Sequence, residues 1–497
     1  MLKNLKQPLF INLLFSTFLL ISHALHANNP ISETNIHHMA STTTKPNILF
    51  ILTEDQGAHL GCLGTRGVKT PNMDTLAARG ALFKNAFVAY PVCSASKACI
   101  YTGRHNHDTG LINNTVNYHK SATKLTEAEL KNQLYRNNRI RSGIPTLIEC
   151  LRNAGYYQAT THKLHVAPVE QFPYDEFLAN PNGRVFSNFL SRAKTSGKPW
   201  FFLYNIAVTH RPFINSDKTA IRVKPEEVAL PAFLPDTPTI RKDWAEYLAS
   251  IEAGDKLVGE ALAALEDSGE KANTIVVFMG DHGPAFQHGK MTLYDLGLRV
   301  PLILAGPHIT AGMRSALASE LDLLPTLLDL ASVTIPRGLH GVSLRTVLEN
   351  PKAESPRPFA AAEISHKGNL PNTGLQERTI FDTRWKLIYR EHFDPAWRLI
   401  QADSMDPQPW GNRTYGETIR VKDVCPESYR VLQEFHPQAL GGKLLPVELY
   451  DLANDPDEMK NLAEKQEFAN EQQRLLSALQ KWASDTGDVI MTSPEKK

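Results

Sequence analysis

Beyond residue 45, short apolar runs alternate with segments in which apolar residues recur at helical spacing. The apolar runs predict buried β-strands at 48–52, 200–207 and 274–279. The helical spacing predicts helices at 71–79, 144–151, 244–265 and 321–331. Because strands and helices alternate along the chain, the pattern indicates a layered α/β domain.

The pattern changes at a proline- and charge-rich stretch, 350–357, which we interpret as a domain joint. The larger domain would then span 45–355. A smaller C-terminal α+β domain is predicted at 356–497, from β-like segments and an amphipathic helix at 378–380, 385–389, 448–452 and 467–483. The stretch 394–441 has little periodicity, and we expect it to be an insertion near the functional site.

The first 27 residues have the order of a secretory signal peptide. Lys3 and Lys6 precede an apolar run at 9–21, and the polar stretch after it ends at Ala27. The polar segment 28–44 is then predicted to be a disordered leader. An uncleaved anchor or a lipoprotein is the alternative, but the run is shorter than the roughly 20 residues of a membrane span, and no cysteine is placed for lipid attachment. We therefore expect a secreted or periplasmic protein without stable membrane insertion.

Composition excludes one class of partner. The 497 residues include 53 Lys and Arg against 52 Asp and Glu, so there is no net field to attract a polyanion, and nucleic acid is not expected as a partner. The five cysteines are too few for a disulfide scaffold, and the odd number leaves at least one without a partner in the chain. One cysteine is therefore available for chemistry.

Pairs of candidate metal ligands follow two of the predicted strands. Glu54 and Asp55 come directly after 48–52, while Asp281 and His282 follow 274–279. Ligands gather at the carboxyl ends of strands in open α/β sheets, where adjacent carboxylates repel one another unless a cation lies between them. A set dominated by oxygen favours Ca²⁺ or Mg²⁺. Alternatively, each acid caps a helix or pairs with a surface cation.

A cysteine-centred block at 93–104 carries the most specific signal. It reads Cys-Ser-Ala-Ser-Lys at 93–97 and Thr-Gly at 102–103. This block resembles the sulfatase family of the alkaline phosphatase superfamily, which has Cys-x-Pro-x-Arg followed by Thr-Gly. Further blocks resemble the family in the same order, at 46–55, 70–80, 163–165, 209–213, 281–283, 289–294 and 448–456. Without the resemblance, Cys93 and Cys99 would be interpreted as a buried pair or a local disulfide.

The resemblance implies a fold and a mechanism. The fold would be a large mixed β-sheet with helices on both faces, plus a smaller C-terminal α+β domain. A maturation enzyme would convert Cys93 to formylglycine, whose hydrated form attacks the sulfur of a sulfate ester. The metal, Ca²⁺ or Mg²⁺, would be held by the side chains at Glu54, Asp55, Cys93, Asp281 and His282. Substrate binding and proton transfer would fall to Lys163, Lys290, His210 and His165.

The chain departs from the family pattern within the cysteine block. Ala95 stands in place of the usual proline, and Lys97, assigned to the catalytic set, replaces an arginine whose planar fork a lysine cannot reproduce. We predict a sulfatase that acts on a sulfated carbohydrate, such as a glycosaminoglycan or algal polysaccharide fragment. The alternatives are a phosphonate monoester or phosphodiester hydrolase of the same superfamily, or a catalytically impaired relative that binds sulfated glycans. The oligomeric state is left open.

Overall fold

The computed structural model describes residues 45–214, 223–286, 288–365, 376–391, 430 and 445–489. The predicted signal peptide, the predicted leader and nearly all of the predicted insertion at 394–441 lie outside these residues. The chain on both sides of the predicted joint at 350–357 belongs to one compact unit. Within the described ranges, no helix combines the length and the apolar character that are needed to cross a bilayer.

A mixed sheet of eight strands forms the centre of the molecule. Its strands are β1 (Asn47–Thr53), β2 (Ala81–Phe87), β3 (Tyr157–Thr161), β4 (Glu176–Leu178), β5 (Trp200–Ile206), β6 (Thr274–Gly280), β7 (Leu302–Ala305) and β8 (Gly312–Ser319). Their order across the sheet is β4-β3-β5-β1-β6-β7-β2-β8. β1 runs parallel to β5 and β6, whereas β7 is antiparallel to both of its neighbours. β1, β5 and β6 are buried along their whole length, which explains their uninterrupted apolar sequences.

Helices cover both faces of this sheet. They are α1 (Pro71–Arg79), α2 (Cys93–Thr102), α3 (Asn106–Thr109), α4 (Glu127–Lys131), α5 (Gln133–Asn137), α6 (Leu147–Asn153), α7 (Gly183–Ser196), α8 (Pro238–Asp267), α9 (Asp295–Leu298), α10 (Leu323–Leu330) and α11 (Arg345–Glu349). Alternate β1 residues point to opposite faces: Leu49 packs in the core with α1, α7 and α8, and Phe50 in the core with α2, α6 and α10. The predicted fold class is therefore confirmed.

Sequence periodicity placed the long helix α8 too late in the chain. We expected residues 244–265, but α8 starts at Pro238, one residue after the N-cap Thr237. The Thr237 hydroxyl accepts a hydrogen bond from the Ile240 N–H, and proline is favourable at the first helical position because it has no N–H to leave unpaired. The Thr-Pro pair was thus the better signal for the start of this helix.

A smaller antiparallel sheet follows the predicted joint. It contains β9 (Ala360–Ser365), β10 (Gln376–Phe381), β11 (Trp385–Glu391) and β12 (Val447–Asp451), in the order β12-β11-β10-β9. The last helix, α12 (Ala469–Thr486), packs Leu475 and Leu479 against Leu387 and Leu449 of this sheet. This arrangement agrees with the α+β character predicted for the C-terminal part.

A histidine cluster connects α12 to the region after α2. The indole N–H of Trp482 donates to His105 Nε2 at 3.0 Å, and the two ring nitrogens of His107 lie 2.9 Å from Glu363 Oε2 and 3.2 Å from the Thr486 carbonyl oxygen. Both rings therefore lie where the C-terminal helix contacts the segment after α2.

Candidate active site

The two pairs of candidate metal ligands meet at the carboxyl ends of adjacent strands. β1 and β6 are parallel and in register, with Thr53 opposite Gly280, so the acids that follow them become neighbours. The Asp281 N–H donates to the Thr53 carbonyl oxygen, and the Asp55 N–H donates to Asp281 Oδ1, both at 2.8 Å. Asp55 adopts φ 49°, a left-handed conformation that turns the chain sharply after β1. The strand register therefore produces one buried carboxylate cluster.

Cys93 is the first residue of α2, and its side chain points into this cluster. Its sulfur lies 3.2 Å from His282 Nε2, 3.3 Å from Lys290 Nζ and 3.7 Å from Asp55 Oδ1. It is 1% exposed and belongs to a helix that is buried along its whole length. The cysteine is unpaired, so the alternative of a disulfide with Cys99 is wrong.

Positive charge dominates the surroundings of this thiol. Burial by itself raises the pKa of Cys93, because a thiolate loses hydration in the interior. Lys290, Lys163 and His282 outweigh that effect and hold the pKa well below its ordinary value. Position 93 is therefore a place where negative charge is stabilised.

The side chains that face Cys93 fit a divalent cation. Asp55, Cys93, Asp281 and His282 can each present a ligand atom within 4.8 Å of the others. His282 Nδ1 lies 2.9 Å from the Gly283 carbonyl oxygen, so this nitrogen carries a hydrogen, and Nε2 would bind a metal once it has lost its own proton. Two of these four donors are carboxylates, the ligand type that suits Ca²⁺ or Mg²⁺.

Glu54, the fifth predicted ligand, faces two lysines. Its carboxylate forms ion pairs with Lys97 and Lys163. Burial would raise the pKa of Glu54, but Lys163 and Lys97 lower it below its ordinary value. Burial and the negative charge of Glu54 raise the pKa of Asp281 to about 6. Of the two acids, Glu54 therefore keeps its negative charge more firmly.

Lys97 lies on the carboxylate side of the site. Besides its contact with Glu54, its ammonium group is 3.3 Å from Asp281 Oδ2, and all three side chains have no exposed surface. Among the described residues, Cys93 forms no hydrogen bond with Lys97. Lys97 therefore positions the carboxylates of Glu54 and Asp281, rather than contacting Cys93.

The remaining predicted residues surround position 93. Lys290 Nζ lies 2.9 Å from both Asp55 oxygens, and the His165 ring is close enough to Cys93 to help lower the pKa of its thiol. Burial lowers the pKa of His165, so its ring is neutral near pH 7. His210 Nε2 lies 3.9 Å from Asp55 Oδ2, with 39% of its side chain exposed. The structure thus brings together all ten residues named from sequence.

Sequence reasoning missed Ser96 and Glu320, which form a hydrogen-bonded chain that ends at the backbone of Asp281. Ser96 Oγ lies 2.5 Å from the Asp281 carbonyl oxygen and 2.7 Å from Glu320 Oε2. A carbonyl oxygen only accepts, so the single hydroxyl hydrogen of Ser96 goes to Asp281 and Glu320 must donate to Ser96. The other Glu320 oxygen accepts from the Ala89 N–H at 2.7 Å. Glu320 is therefore a protonated carboxylic acid, in agreement with its pKa, which burial raises well above the ordinary value.

The fold and the site together define a hydrolase in which Cys93 lies between a candidate cation site and several basic side chains. The family model described as Sulfatase matches residues 46–189 and 184–333, which is more than half of the chain. The chain belongs to the sulfatase family, and its relatives are sulfuric ester hydrolases of the alkaline phosphatase superfamily. A second model, for the C-terminal region of N-sulphoglucosamine sulphohydrolase, matches residues 280–430.

Individual relatives agree with this assignment. Human N-sulphoglucosamine sulphohydrolase is 27% identical over 496 residues, which cover 90% of this chain and 92% of the relative. An ulvan-active sulfatase of Formosa agariphila is also 27% identical, over 89% of this chain and 76% of its own. Among solved structures, one in complex with its substrate D-glucosamine-2-N,6-O-disulfate superposes with a TM-score of 0.63. It is 20% identical and covers 91% of this chain and all of its own, so this likeness concerns the fold alone.

Proposed function

We propose that this protein releases inorganic sulfate from a sulfated carbohydrate, with a formylglycine made from Cys93 and a bound divalent cation, Ca²⁺ or Mg²⁺. One observation carries the proposal. Lys290, His282 and His165 converge on the Cys93 side chain, at a site that also contains three buried carboxylates. A sulfate ester is a tetrahedral anion whose charge repels nucleophiles, so a hydrolase must neutralise that charge where the nucleophile attacks.

The divalent cation and the formylglycine would supply two kinds of chemistry. The cation, held by Asp55, Asp281 and His282 with the side chain at position 93, would act as a Lewis acid toward the sulfate. Glu54 would complete the set if its carboxylate turned from the lysines toward the ion. Formylglycine would supply a hydroxyl nucleophile through its hydrated form.

The chain's own lysines would bind and orient the sulfate. Lys290 already contacts both Asp55 and the side chain at position 93, and Lys163 extends toward the same region from the loop after β3. Both are held in place by carboxylates, so little side-chain freedom would be lost when an anion binds. Preorganised positive charge is most effective in a site from which water is excluded.

His210 is positioned to donate a proton to the leaving group. Its Nδ1 lies 2.6 Å from the Arg211 carbonyl oxygen, which can only accept, so Nδ1 carries a hydrogen and Nε2 faces the site. The partial exposure of the ring leaves it accessible to the alcohol or amine that departs. Nε2 of a protonated His210 would therefore donate the proton that the leaving atom requires.

His165 would accept a proton at position 93. Its ring is close enough to Cys93 to influence the pKa of the thiol, and burial lowers the pKa of His165, so a neutral ring can act as a base. The two histidines would thus serve opposite ends of the reaction, with His210 on the leaving-group side and His165 on the nucleophile side.

Sulfated carbohydrate is the favoured substrate class. The relatives reported above act on N-sulphoglucosamine and on ulvan, as their names state. The match of residues 280–430 to the N-sulphoglucosamine sulphohydrolase C-terminal model leads us to place glycosaminoglycan fragments before algal polysaccharides. N-sulfated and O-sulfated glucosamine should both be tested.

Two measurements test the proposal on the full chain co-expressed with a sulfatase-maturation enzyme. Mass spectrometry of the peptide that contains Cys93 should detect formylglycine, despite Ala95 and Lys97 in the recognition segment. Ion chromatography should detect free sulfate from a panel of defined sulfated sugars, and Cys93→Ala should abolish the release. An unmodified thiol in fully active enzyme would exclude the formylglycine assignment.

Comparison substrates separate the two alternatives. Faster turnover of an aryl phosphodiester than of an aryl sulfate would indicate a phosphodiester or phosphonate hydrolase. Tight binding of sulfated sugars without any sulfate release would indicate the impaired, glycan-binding relative.

We further propose that residues 1–27 direct export to the periplasm or the medium. Cell fractionation tests this point, with activity expected outside the cytoplasm for the full chain and inside it after deletion of 1–27. Cytoplasmic activity of the full chain would contradict the proposal.

A further inference from the structure

A cavity opens beside the candidate active site, at the carboxyl ends of β3 and β5. Its volume is about 520 Å³, within the range of roughly 300–1,000 Å³ that is typical of small-molecule sites. Lys163 and His210 line this cavity and also belong to the candidate active site. The cavity therefore lies on the His210 side, where the proposed function places the leaving group.

The titratable side chains that line the cavity in the described part of the chain are all basic: His162, Lys163, His210 and Arg211. Three of them already have a role. Lys163 forms an ion pair with Glu54, and His210 is assigned to the leaving atom. The Arg211 guanidinium pairs with both oxygens of Asp243, at 2.8 and 2.7 Å, and lies over the Phe213 ring.

His162 is the side chain that remains. Among the described residues, its ring has no hydrogen-bond partner and no ring-stacking contact, and it is only partly buried. Its backbone has φ 56°, a left-handed conformation uncommon for residues other than glycine, and is anchored by a hydrogen bond from its N–H to Leu178 O at 3.3 Å. Non-glycine residues in this conformation concentrate at functional sites, where the surrounding structure holds them.

We infer that His162 is a specificity-determining residue, which binds an anionic group on the saccharide that leaves the active site. The inference rests on the proposed function and adds the class of substrate: a sugar that carries a carboxylate or a second sulfate besides the one removed. Carboxylates and sulfates both accept hydrogen bonds from an imidazole N–H, and a pocket wall without acidic side chains in the described ranges does not repel them.

Two substitutions alter the proposed contact without straining the backbone. His162→Gly and His162→Asn both tolerate positive φ, and asparagine keeps a neutral hydrogen-bond donor. His308 is a matched control, since it has φ 62° and is exposed at a position outside the cavity. His308→Gly should leave all substrates unaffected.

The test compares kcat/KM for p-nitrophenyl sulfate, a monosulfated glucosamine, a disulfated glucosamine and a sulfated glucosamine linked to a uronic acid. For the two doubly anionic sugars, His162→Gly should lower kcat/KM by about 10- to 100-fold, mainly through KM, as expected for loss of a hydrogen bond to a charged group. The aryl sulfate should change little. Comparing the disulfated sugar with the uronic acid conjugate shows which anion His162 prefers.

An equal effect on all four substrates, or no effect on any, would overturn the inference. The same sugars can also be titrated calorimetrically into wild type and His162→Gly, which needs no turnover. If wild type released no sulfate, the proposed function would fail, whereas weaker binding of doubly anionic sugars by the variant would still support the role of His162. Unchanged binding would reject that role on its own.

Discussion

Lys97→Met should destabilise the cation-free protein far more than the cation-bound one. The ammonium group of Lys97 lies between Glu54 and Asp281, and all three side chains are completely buried. Methionine keeps the length of the unbranched chain but removes the charge, which leaves two carboxylates without this partner. Removing one member of a buried ion pair costs about 3–5 kcal/mol, because the remaining charge has lost both water and its counterion.

A bound cation changes that cost. Ca²⁺ near Asp281 would neutralise part of the charge that Lys97 otherwise balances, so the loss of unfolding free energy should fall below about 2 kcal/mol under saturating Ca²⁺. Lys97→Arg keeps the charge but adds volume to a completely buried position, which costs about 1–3 kcal/mol through overpacking. Arginine, the family's usual residue at this position, would therefore not raise the stability of this protein.

Urea unfolding of wild type and variants, in EDTA and in Ca²⁺, measures these differences. Lys131→Met is the matched control, because Lys131 pairs with Glu127 on an exposed helix surface, and no measurable change is expected. If Lys97→Met were as stable as wild type in EDTA, Lys97 would not balance the carboxylates. A loss of equal size with and without Ca²⁺ would show that no cation binds beside Asp281.

Three further predictions concern proton transfer, support of the site and pH. His210→Ala should slow alkyl sulfates about 100-fold, but aryl sulfates far less, because an aryl oxide leaves without a proton; steady-state kinetics measure the ratio. Glu320→Gln should keep near-normal activity, because the amide N–H₂ donates to Ser96 as the protonated acid does, whereas Glu320→Ala should lose most of it. His340 accepts a hydrogen bond from the His105 N–H, and burial and the neighbouring His107 lower its pKa from 6.5 to about 4. The unfolded chain therefore binds this proton first, and stability should fall as the pH drops from about 6.5 toward 4, by on the order of 3 kcal/mol, a slope that His340→Gln should reduce in urea unfolding.

Each of these predictions has a result that would contradict it. Equal losses on alkyl and aryl sulfates would remove His210 as the proton donor. Inactive Glu320→Gln with a normal thermal transition would mean that Glu320 works as a carboxylate. Parallel pH–stability curves for wild type and His340→Gln would show that His340 does not set the acid limit, and the partly buried His59, whose pKa is also lowered to about 4 by burial, would be the next residue to substitute.

The sequence by itself determined the features that depend on short stretches of chain. β1, β5 and β6 were predicted because central strands are buried on both faces, which requires continuous apolar runs. The acid pairs were located because they follow two of these strands directly. The cysteine block was assigned through its resemblance to a known family, and the comparisons confirm the family.

Edge and antiparallel strands gave a weaker signal. β4 is three residues long and β7, although apolar throughout, only four, whereas the β8 sequence begins with exposed residues, so each is too short or too mixed to be recognised as a strand from its pattern alone. These strands are stabilised by pairing with their neighbours in the sheet. Such pairing depends on how the whole chain packs and not on the sequence of the segment itself.

Only the tertiary structure decided which side chains share a proton or a charge. Ser96 contacts Glu320, 224 residues away along the chain, and Trp482 donates to His105, 377 residues away. No local pattern marks such partners, because hydrogen bonds between distant residues are set by how the elements pack. The same packing places Lys97 against two carboxylates instead of the nucleophile, and leaves His162 facing a cavity whose other basic groups already have roles.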